Sequence, residues 1–275
     1  MLHRQCYRKY WKTFNAKAMK QEITIVKIGG NVVDDASTLE KVLQEFSQIS
    51  GPKVLVHGGG KIASDLSVKL GIQPKMVEGR RITDEESLKV VMMAYGGLVN
   101  KGIVAQLQAM GCNALGLTGA DANIIPAHKR NSGEIDYGYV GDFNIEDIDT
   151  ARLQFLINGE LTPVFCALTH DQQGSMLNTN ADTLASGLAI SLAKHYHPKL
   201  VYCFEKQGVL LDSEDDATLI RELNYLHYQQ LKDDGIIHNG MIPKLDNAFA
   251  ARDKGVKVVI KHALELSKPA GTVLA

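Results

Sequence analysis

The chain has 275 residues, 45% hydrophobic and 22% charged, with a formal net charge of −1. That is an ordinary globular composition, long enough for one large domain or two lobes around a sizeable core. Residues 1–20 hold six Lys/Arg and no Asp or Glu, leaving 24 basic against 31 acidic residues elsewhere, a net of −7 that argues against nucleic-acid binding.

The first segment is unlike the rest. Residues 1–20 are basic and aromatic and carry the only Trp, Trp11. An upstream extension with the natural start at Met19, a docking segment and a transit peptide all compete. A transit peptide is usually serine-rich, and no serine is present, so a non-essential extension is preferred. No apolar run reaches the ~18 residues of a membrane span, so no membrane partner is expected. Cys6, Cys112, Cys166 and Cys203 lie far apart without a CxxC pair. They read as buried thiols of a reducing, cytoplasmic setting.

The body alternates strands and helices, the pattern of an α/β fold with a largely parallel sheet. Ile23, Ile25, Val26 and Ile28 form a β-branched apolar run, a buried strand interrupted by Lys27 and ended by Gly29-Gly30. Burying an unpaired ammonium is costly, so Lys27 is expected to meet an anion. An edge strand with a solvated lysine is the alternative. Ser37-Thr38-Leu39-Glu40 reads as a capping box opening a helix to about Ser47. Val54–Val56 is a second buried strand, followed by His57-Gly58-Gly59-Gly60-Lys61 and a helix to about Leu70. Exposed amides at a helix start suit anions. The segment is neither a P-loop, since Ile62 follows the lysine, nor a dinucleotide fingerprint, since GxGxxG is absent.

Glu78 to Thr83 reads as strand or hairpin, and Thr83 with Glu86 as a second capping box. A long helix is expected from about Glu85 to Met110, with Gly96, Gly97 and Gly102 inside it permitting close packing. Ala114–Thr118 is a strand, and residues 124–143 read as hairpins off the main sheet. Asp149 caps a helix to about Asn158, Thr162–Leu168 is a strand, and 170–174 is a polar loop. Then come a helix over about Asp182–Lys194, a strand at Leu200–Cys203, helices near Tyr225–Lys232 and Ile242–Lys254, a strand at Val256–Ile260 and a closing Gly271-Thr272-Val273-Leu274.

Two further places carry chemistry. Asn178, Asn180 and Asp182 alternate where a loop enters a helix; common helix caps or three polar groups facing one space both fit. Lys244 stands in a helix's first turn, where the dipole disfavours a cation. A bound anion or a carboxylate would offset it, and a solvated lysine is the plainer reading.

Taken together, residues 21–275 resemble the amino-acid kinase family, most closely its N-acetylglutamate kinase branch. The resemblance rests on IVKIGGN around 26–31, LVHGGGK at 55–61, GRRIT at 79–83, LNTNAD at 177–182 and GMIPK at 240–244, in the family's order. It implies a three-layer sandwich with an open, mainly parallel eight-stranded sheet. An acyl-amino-acid lobe would span 21–174 and a nucleotide lobe 175–275, after the basic extension 1–20. The implied reaction moves the γ-phosphoryl of ATP onto the side-chain carboxylate of N-acetyl-L-glutamate, a step of arginine biosynthesis. By the match, Lys27 and Lys244 approach the phosphoryl and Asp182 orients both. Gly29, Gly30 and Gly59 donate N–H groups to it, and Gly60 helps bind the substrate. Arg81 forks onto a substrate carboxylate, and Asn178 and Asn180 hydrogen-bond the substrate. Glu205, Gly208, Leu210 and Ile237 are assigned to the nucleotide. Magnesium is expected to arrive with ATP, with no dedicated protein metal site.

Three departures stand out. Phe204-Glu205-Lys206-Gln207-Gly208 replaces the family's Ser/Thr-Asp-Val-x-Gly, and Asn239 stands where Asp is usual. His170-Asp171 lies near the expected acyl loop. An N-succinylglutamate substrate is therefore kept as an alternative, with Arg80 and His170 as candidate partners for the extra carboxylate. A non-catalytic sensor on the same fold is the alternative from another class. Lacking the longer ending of arginine-inhibited relatives, the chain is expected to form an arginine-insensitive homodimer.

Overall fold

The computed structural model describes residues 20–77, 80–131, 133, 135–237 and 240–275. The basic extension therefore lies outside the described residues except for Lys20, whose ammonium donates to the Ala193 carbonyl at 2.7 Å.

The first half runs β1 (Glu22–Ile28), α1 (Gly30–Asp34), α2 (Ala36–Ser47), β2 (Lys53–His57), α3 (Gly60–Lys69), β3 (Lys75–Val77) and β4 (Arg80–Ile82). A long helix, α4 (Glu85–Ala109), comes next, then β5 (Ala114–Leu117), β6 (His128–Lys129), β7 (Gly141–Asp142), α5 (Thr150–Asn158), β8 (Thr162–Cys166), β9 (Leu168–His170) and β10 (Met176–Asn178). The second half follows with α6 (Ala181–Leu192), β11 (His197–Phe204), β12 (Glu222–Leu223), α7 (Tyr225–Asp233), α8 (Ile242–Asp253), β13 (Lys257–His262) and β14 (Thr272–Leu274).

Eight strands form one sheet in the order β12-β14-β13-β11-β1-β2-β8-β5. Neighbours run parallel except β13 and β14. The expected open, mainly parallel eight-stranded sheet is thus present. The strands alternate their side chains between two apolar layers, which is why the central ones read as continuous apolar runs. Ile23 and Ile25 of β1 pack with Leu184, Leu188 and Leu192 of α6 and with Leu245 and Phe249 of α8. Val26 and Ile28 face the other way, against Val42, Leu43 and Phe46 of α2 and Val99, Ile103 and Leu107 of α4.

This alternation explains Lys27. It shares a face with Ile23 and Ile25, and so points at the N-terminal end of α6. The lysine is 5% exposed, and β1 lies between β2 and β11, so the edge-strand reading is wrong. From β1 the chain crosses to β2, whereas from β11 it moves outward to β13. The β1/β11 seam is therefore the switch point of the sheet, where open α/β folds place a crevice beyond the strand ends.

Both capping boxes need correction. The N-cap of α2 is Asp35, whose carboxylate accepts from Thr38 N at 2.7 Å. The N-cap of α4 is Asp84, which accepts from Ser87 N at 2.8 Å. A carboxylate three residues before a free amide also complements the helix dipole. Thr83 is engaged elsewhere: its hydroxyl accepts from Asn178 Nδ2 at 3.0 Å. Asp149 caps α5 as expected.

Helix α4 also departs from a plain helix, because Met92–Val99 winds as a π-helix. By length and composition α4 would suffice to cross a membrane, although Lys89 and Lys101 interrupt its apolar run. Its inner side is packed as a core helix: Val91, Ala94 and Tyr95 meet Ala63, Cys166 and Leu168. The expected hairpins form as β3–β4 and β6–β7. The strand expected to reach Leu168 ends at Cys166 and continues as β9, which pairs with β10. The 174/175 lobe boundary falls at the tip of that hairpin. Cys112, Cys166 and Cys203 are free and buried.

Candidate active site

A cleft of about 600 Å³, within the range of small-molecule sites, opens at the β1/β11 seam. Among the residues facing it are Lys27, Gly29, Gly30, Gly59, Gly60, Arg81, Asn178, Asn180, Asp182, Glu205 and Lys244. A second groove of about 200 Å³ shares Phe204, Glu205 and Lys244 with the first and adds Gly208, Leu210 and Ile237. Residues far apart in the chain are thus brought to two adjoining spaces.

Asp182 lies in the first turn of α6, where the helix N-terminus favours a carboxylate. Its Oδ1 is 2.7 Å from Lys27 Nζ, and the two side chains are only 10% and 6% exposed. Lys244, in the first turn of α8, faces the same cleft. Both ammoniums stand over the Phe204 ring, Lys27 at 5.4 Å and Lys244 at 4.5 Å from its centroid. Phe204 in turn stacks on Tyr202, centroids 6.1 Å apart, and the Tyr202 hydroxyl donates to the Asp182 carbonyl at 3.2 Å. Burial pushes the Lys244 pKa down; Asp182 opposes this, and Lys27 adds to it. Glu205 also acts on Lys244, so the two lysines face two carboxylates, and with Lys61 and Arg81 in the lining the cleft wall keeps an excess of positive charge.

The glycines differ in what they supply. Gly59, with φ 154°, occupies backbone that other residues rarely adopt, and a Cβ there would lie 3.1 Å from the Tyr95 ring. Gly29 has an ordinary φ of −78°, so its backbone conformation does not require glycine. A Cβ on Gly30 would meet nothing within 4 Å. What these two contribute is backbone left uncovered beside the cleft.

Arg81 is buried. Its Nη2 donates to the Gly60 carbonyl at 2.9 Å and to Ser64 Oγ at 2.6 Å. Its Nη1 is buried with no partner. A guanidinium donor left unsatisfied in a cleft wall is suited to a ligand carboxylate. Asn178 donates to Thr83, as above. Asn180 caps α6, its Oδ1 accepting from Thr183 N at 2.9 Å, and it also lines the cleft. Leu210 and Ile237 give the second groove its apolar wall.

Sequence reasoning missed several residues facing the cleft, notably Tyr95 and Arg130. Tyr95 falls inside the π turn, which shifts the helical phase by which its face would be read. Arg130 lies beside a short hairpin and is clasped by Asp142, Nε to Oδ2 at 2.8 Å; no local pattern announces it. His170 stands in β9, outside the cleft lining. The Arg80 side chain and Asn239 lie outside the described residues. Among the described residues no group of three or more His, Cys, Asp or Glu gathers to hold a metal.

Comparison with known proteins agrees with this geometry. Residues 22–262 match the amino acid kinase family. The chain is 52% identical over 253 residues to the acetylglutamate kinase of Parabacteroides distasonis, covering 92% of this chain and 98% of that one. It is 36% identical over 255 residues to the acetylglutamate kinase of Methanopyrus kandleri, with 91% and 99% covered. Among solved structures, smu.665 from Streptococcus mutans UA159 aligns with a TM-score of 0.75 at 27% identity, covering 92% of this chain and 98% of that one. A Giardia carbamate kinase shares the fold at 13% identity, with a TM-score of 0.66 and 94% and 99% covered. With its seam cleft, its paired lysines and these relatives, the chain belongs to the amino acid kinase family.

Proposed function

We propose that this chain transfers the γ-phosphoryl group of ATP to the side-chain carboxylate of N-acetyl-L-glutamate, giving N-acetyl-L-glutamyl 5-phosphate for arginine biosynthesis. One observation carries the reading: Lys27 of β1 and Lys244 of α8 bring their ammoniums to a single aromatic ring, beside the buried carboxylate of Asp182. The 52% identity to acetylglutamate kinases supports the substrate.

The acceptor carboxylate, with a reference pKa near 4.3, is ionised at neutral pH and needs no general base. Catalysis then consists of positioning and of offsetting charge on the phosphoryl oxygens. Lys27 and Lys244 supply the charge, and Asp182 holds Lys27. Gly29, Gly30 and Gly59 donate backbone N–H groups to the phosphoryl. Gly60 lines the acceptor's place, Arg81 Nη1 takes a substrate carboxylate, and Asn178 and Asn180 bond the acyl amino acid. The nucleotide occupies the second groove, with Leu210 and Ile237 against the base and Glu205 and Gly208 beside it. Its magnesium comes as MgATP, held by phosphates and water. The acyl amino acid would occupy the side of the cleft built by 21–174, and the nucleotide the side built by 175–275.

We place the enzyme in the cytoplasm, consistent with its free buried thiols. It is a homodimer in this reading; exposed Met93 and Leu98 beside Gly96 and Gly97 on α4 offer an apolar face for a second copy, and light scattering tests this. The activity test is ADP release with N-acetylglutamate, N-succinylglutamate, glutamate, aspartate and carbamate as acceptors. Turnover is expected with N-acetylglutamate, and none with either acylated glutamate refutes the proposal.

A further inference from the structure

Beneath the second glycine turn lies a buried polar cluster that the reading above leaves unused. His57 is 0% exposed and Asn100 is 1% exposed, in otherwise apolar surroundings. His57 Nδ1 is 2.7 Å from the Gly58 carbonyl oxygen, and its Nε2 is 3.0 Å from Asn100 Nδ2. The same Nδ2 donates to the Val164 carbonyl at 2.9 Å. Asn100 Oδ1 accepts from Lys101 Nζ at 3.2 Å.

These partners leave one self-consistent arrangement. The Gly58 carbonyl only accepts, so His57 Nδ1 carries the proton. The Val164 carbonyl also only accepts, and the Lys101 ammonium only donates, which fixes the Asn100 amide with its nitrogen toward His57. His57 Nε2 must then be the acceptor. Complete burial holds the imidazole neutral, with a pKa pushed down to about 4. A neutral, single-tautomer histidine is therefore locked against one backbone carbonyl.

That carbonyl matters because of what shares its peptide. The Gly58 C=O and the Gly59 N–H belong to one trans planar unit and point in opposite directions. Pinning the carbonyl onto His57 aims the N–H away from it. The Gly59 N–H finds no acceptor among the described residues, and Gly59 faces the cleft. Gly59 is the N-cap of α3 with φ 154°; its carbonyl accepts from Ala63 N at 3.0 Å, which leaves its N–H side to be oriented by the Gly58 peptide.

We propose that His57, kept in one tautomer by Asn100, is a positioning residue that aims the Gly59 N–H at the transferring phosphoryl group. The inference rests on reading Gly59 as a phosphoryl donor. Room for Asn100 is supplied from the sheet: a Cβ on Gly116 of β5 would lie 2.0 Å from Asn100 Oδ1. The π segment of α4 ends at Val99, immediately before Asn100, and sets the phase with which Asn100 meets His57.

Three variants of the full chain test this with steady-state kinetics and nitrogen-15 NMR of the histidine rings. His57→Leu removes the donor and keeps an apolar side chain, and His57→Asn restores an N–H near the Nδ1 position. Gly116→Ala displaces Asn100 without touching the site. Loss of one oriented backbone donor is worth about 10²- to 10³-fold in kcat. We expect His57→Leu to show that loss with KM for both substrates within about threefold, and His57→Asn to recover at least tenfold of it. In the unmodified protein NMR is expected to show His57 as the Nδ1–H tautomer from pH 6 to 9, and in Gly116→Ala a mixture accompanied by lower kcat. Equal impairment of Leu and Asn variants, or unaltered kcat in a folded His57→Leu protein, overturns the proposal. An Nε2–H tautomer in the unmodified protein overturns it as well, and that spectrum needs no variant to fold. Should the chain show no kinase activity, the tautomer still reports on the His57–Gly58 anchor, so the two failures are distinguishable.

Discussion

The buried pair of Lys27 and Asp182 invites a double-mutant cycle. At 2.7 Å and an effective dielectric near 20, their attraction is about 6 kcal/mol before desolvation is subtracted. Desolvating both ions consumes much of that, so the pair's net contribution is small. Breaking it is another matter, because the survivor remains buried. Asp182→Ala leaves the Lys27 ammonium without its carboxylate and is expected to cost about 3–5 kcal/mol of stability. Lys27→Met is expected to cost less, since the Lys244 charge also acts on Asp182. The double variant Lys27→Met/Asp182→Ala leaves no buried charge of this pair and is expected to regain most of the loss. Urea unfolding followed by far-ultraviolet circular dichroism at pH 7 measures all four corners, and ADP release measures activity beside it. Activity should be absent from the double variant even though stability returns, which separates the pair's function from its cost. Additivity within about 0.5 kcal/mol, or a cost under about 1 kcal/mol for Asp182→Ala, would refute the reasoning.

Other outcomes follow from neighbouring geometry. Burial depresses the Lys244 pKa in the ligand-free chain, so kcat/KM for ATP is expected to fall on the basic side at a pH below the ~10.4 of a free lysine. In the window between the folded and unfolded values the unfolded chain binds more protons, so this group's contribution makes stability rise with pH there; a kcat/KM profile from pH 7 to 10.5 that stays flat would contradict the first statement. Phe204→Leu removes the ring over which both ammoniums stand. At about 0.5–1 kcal/mol for each cation–π contact, kcat should drop roughly five- to thirtyfold, while Phe204→Tyr keeps it; full activity in the Leu variant would reduce Phe204 to packing. Gly208→Ala would put a Cβ 2.6 Å from Thr272 Oγ1 and 2.7 Å from a Leu219 methyl. Overpacking of about 1–3 kcal/mol should raise the ATP KM and leave that for N-acetylglutamate alone, as initial-rate measurements would show.

The sequence by itself determined the class of fold and singled out candidate residues, of which Lys27, Asp182 and Lys244 come to face one cleft. Apolar runs such as Ile23–Ile28 and Val54–Val56, alternating with helical segments, specify parallel strands between helices because period and length are local properties. Lys27 was legible as an anomaly, a charge in a buried run. Helix starts were legible only to within a residue or two. Asp35 and Asp84 displaced the expected serine and threonine boxes, since which side chain caps an amide depends on geometry that a motif does not contain. Pairing was not legible. That Lys27 meets Asp182, 155 positions away, follows from the strand pleat and from where α6 lands on the sheet. That Phe204, which breaks the family pattern, lies under both lysines follows from β11 lying beside β1. The same holds for Tyr95 and Asn100, whose facing is set by a π turn that no sequence periodicity predicts. Local chemistry is written along the chain, but contact between distant side chains is decided by register and helix phase, which exist only once the sheet has assembled.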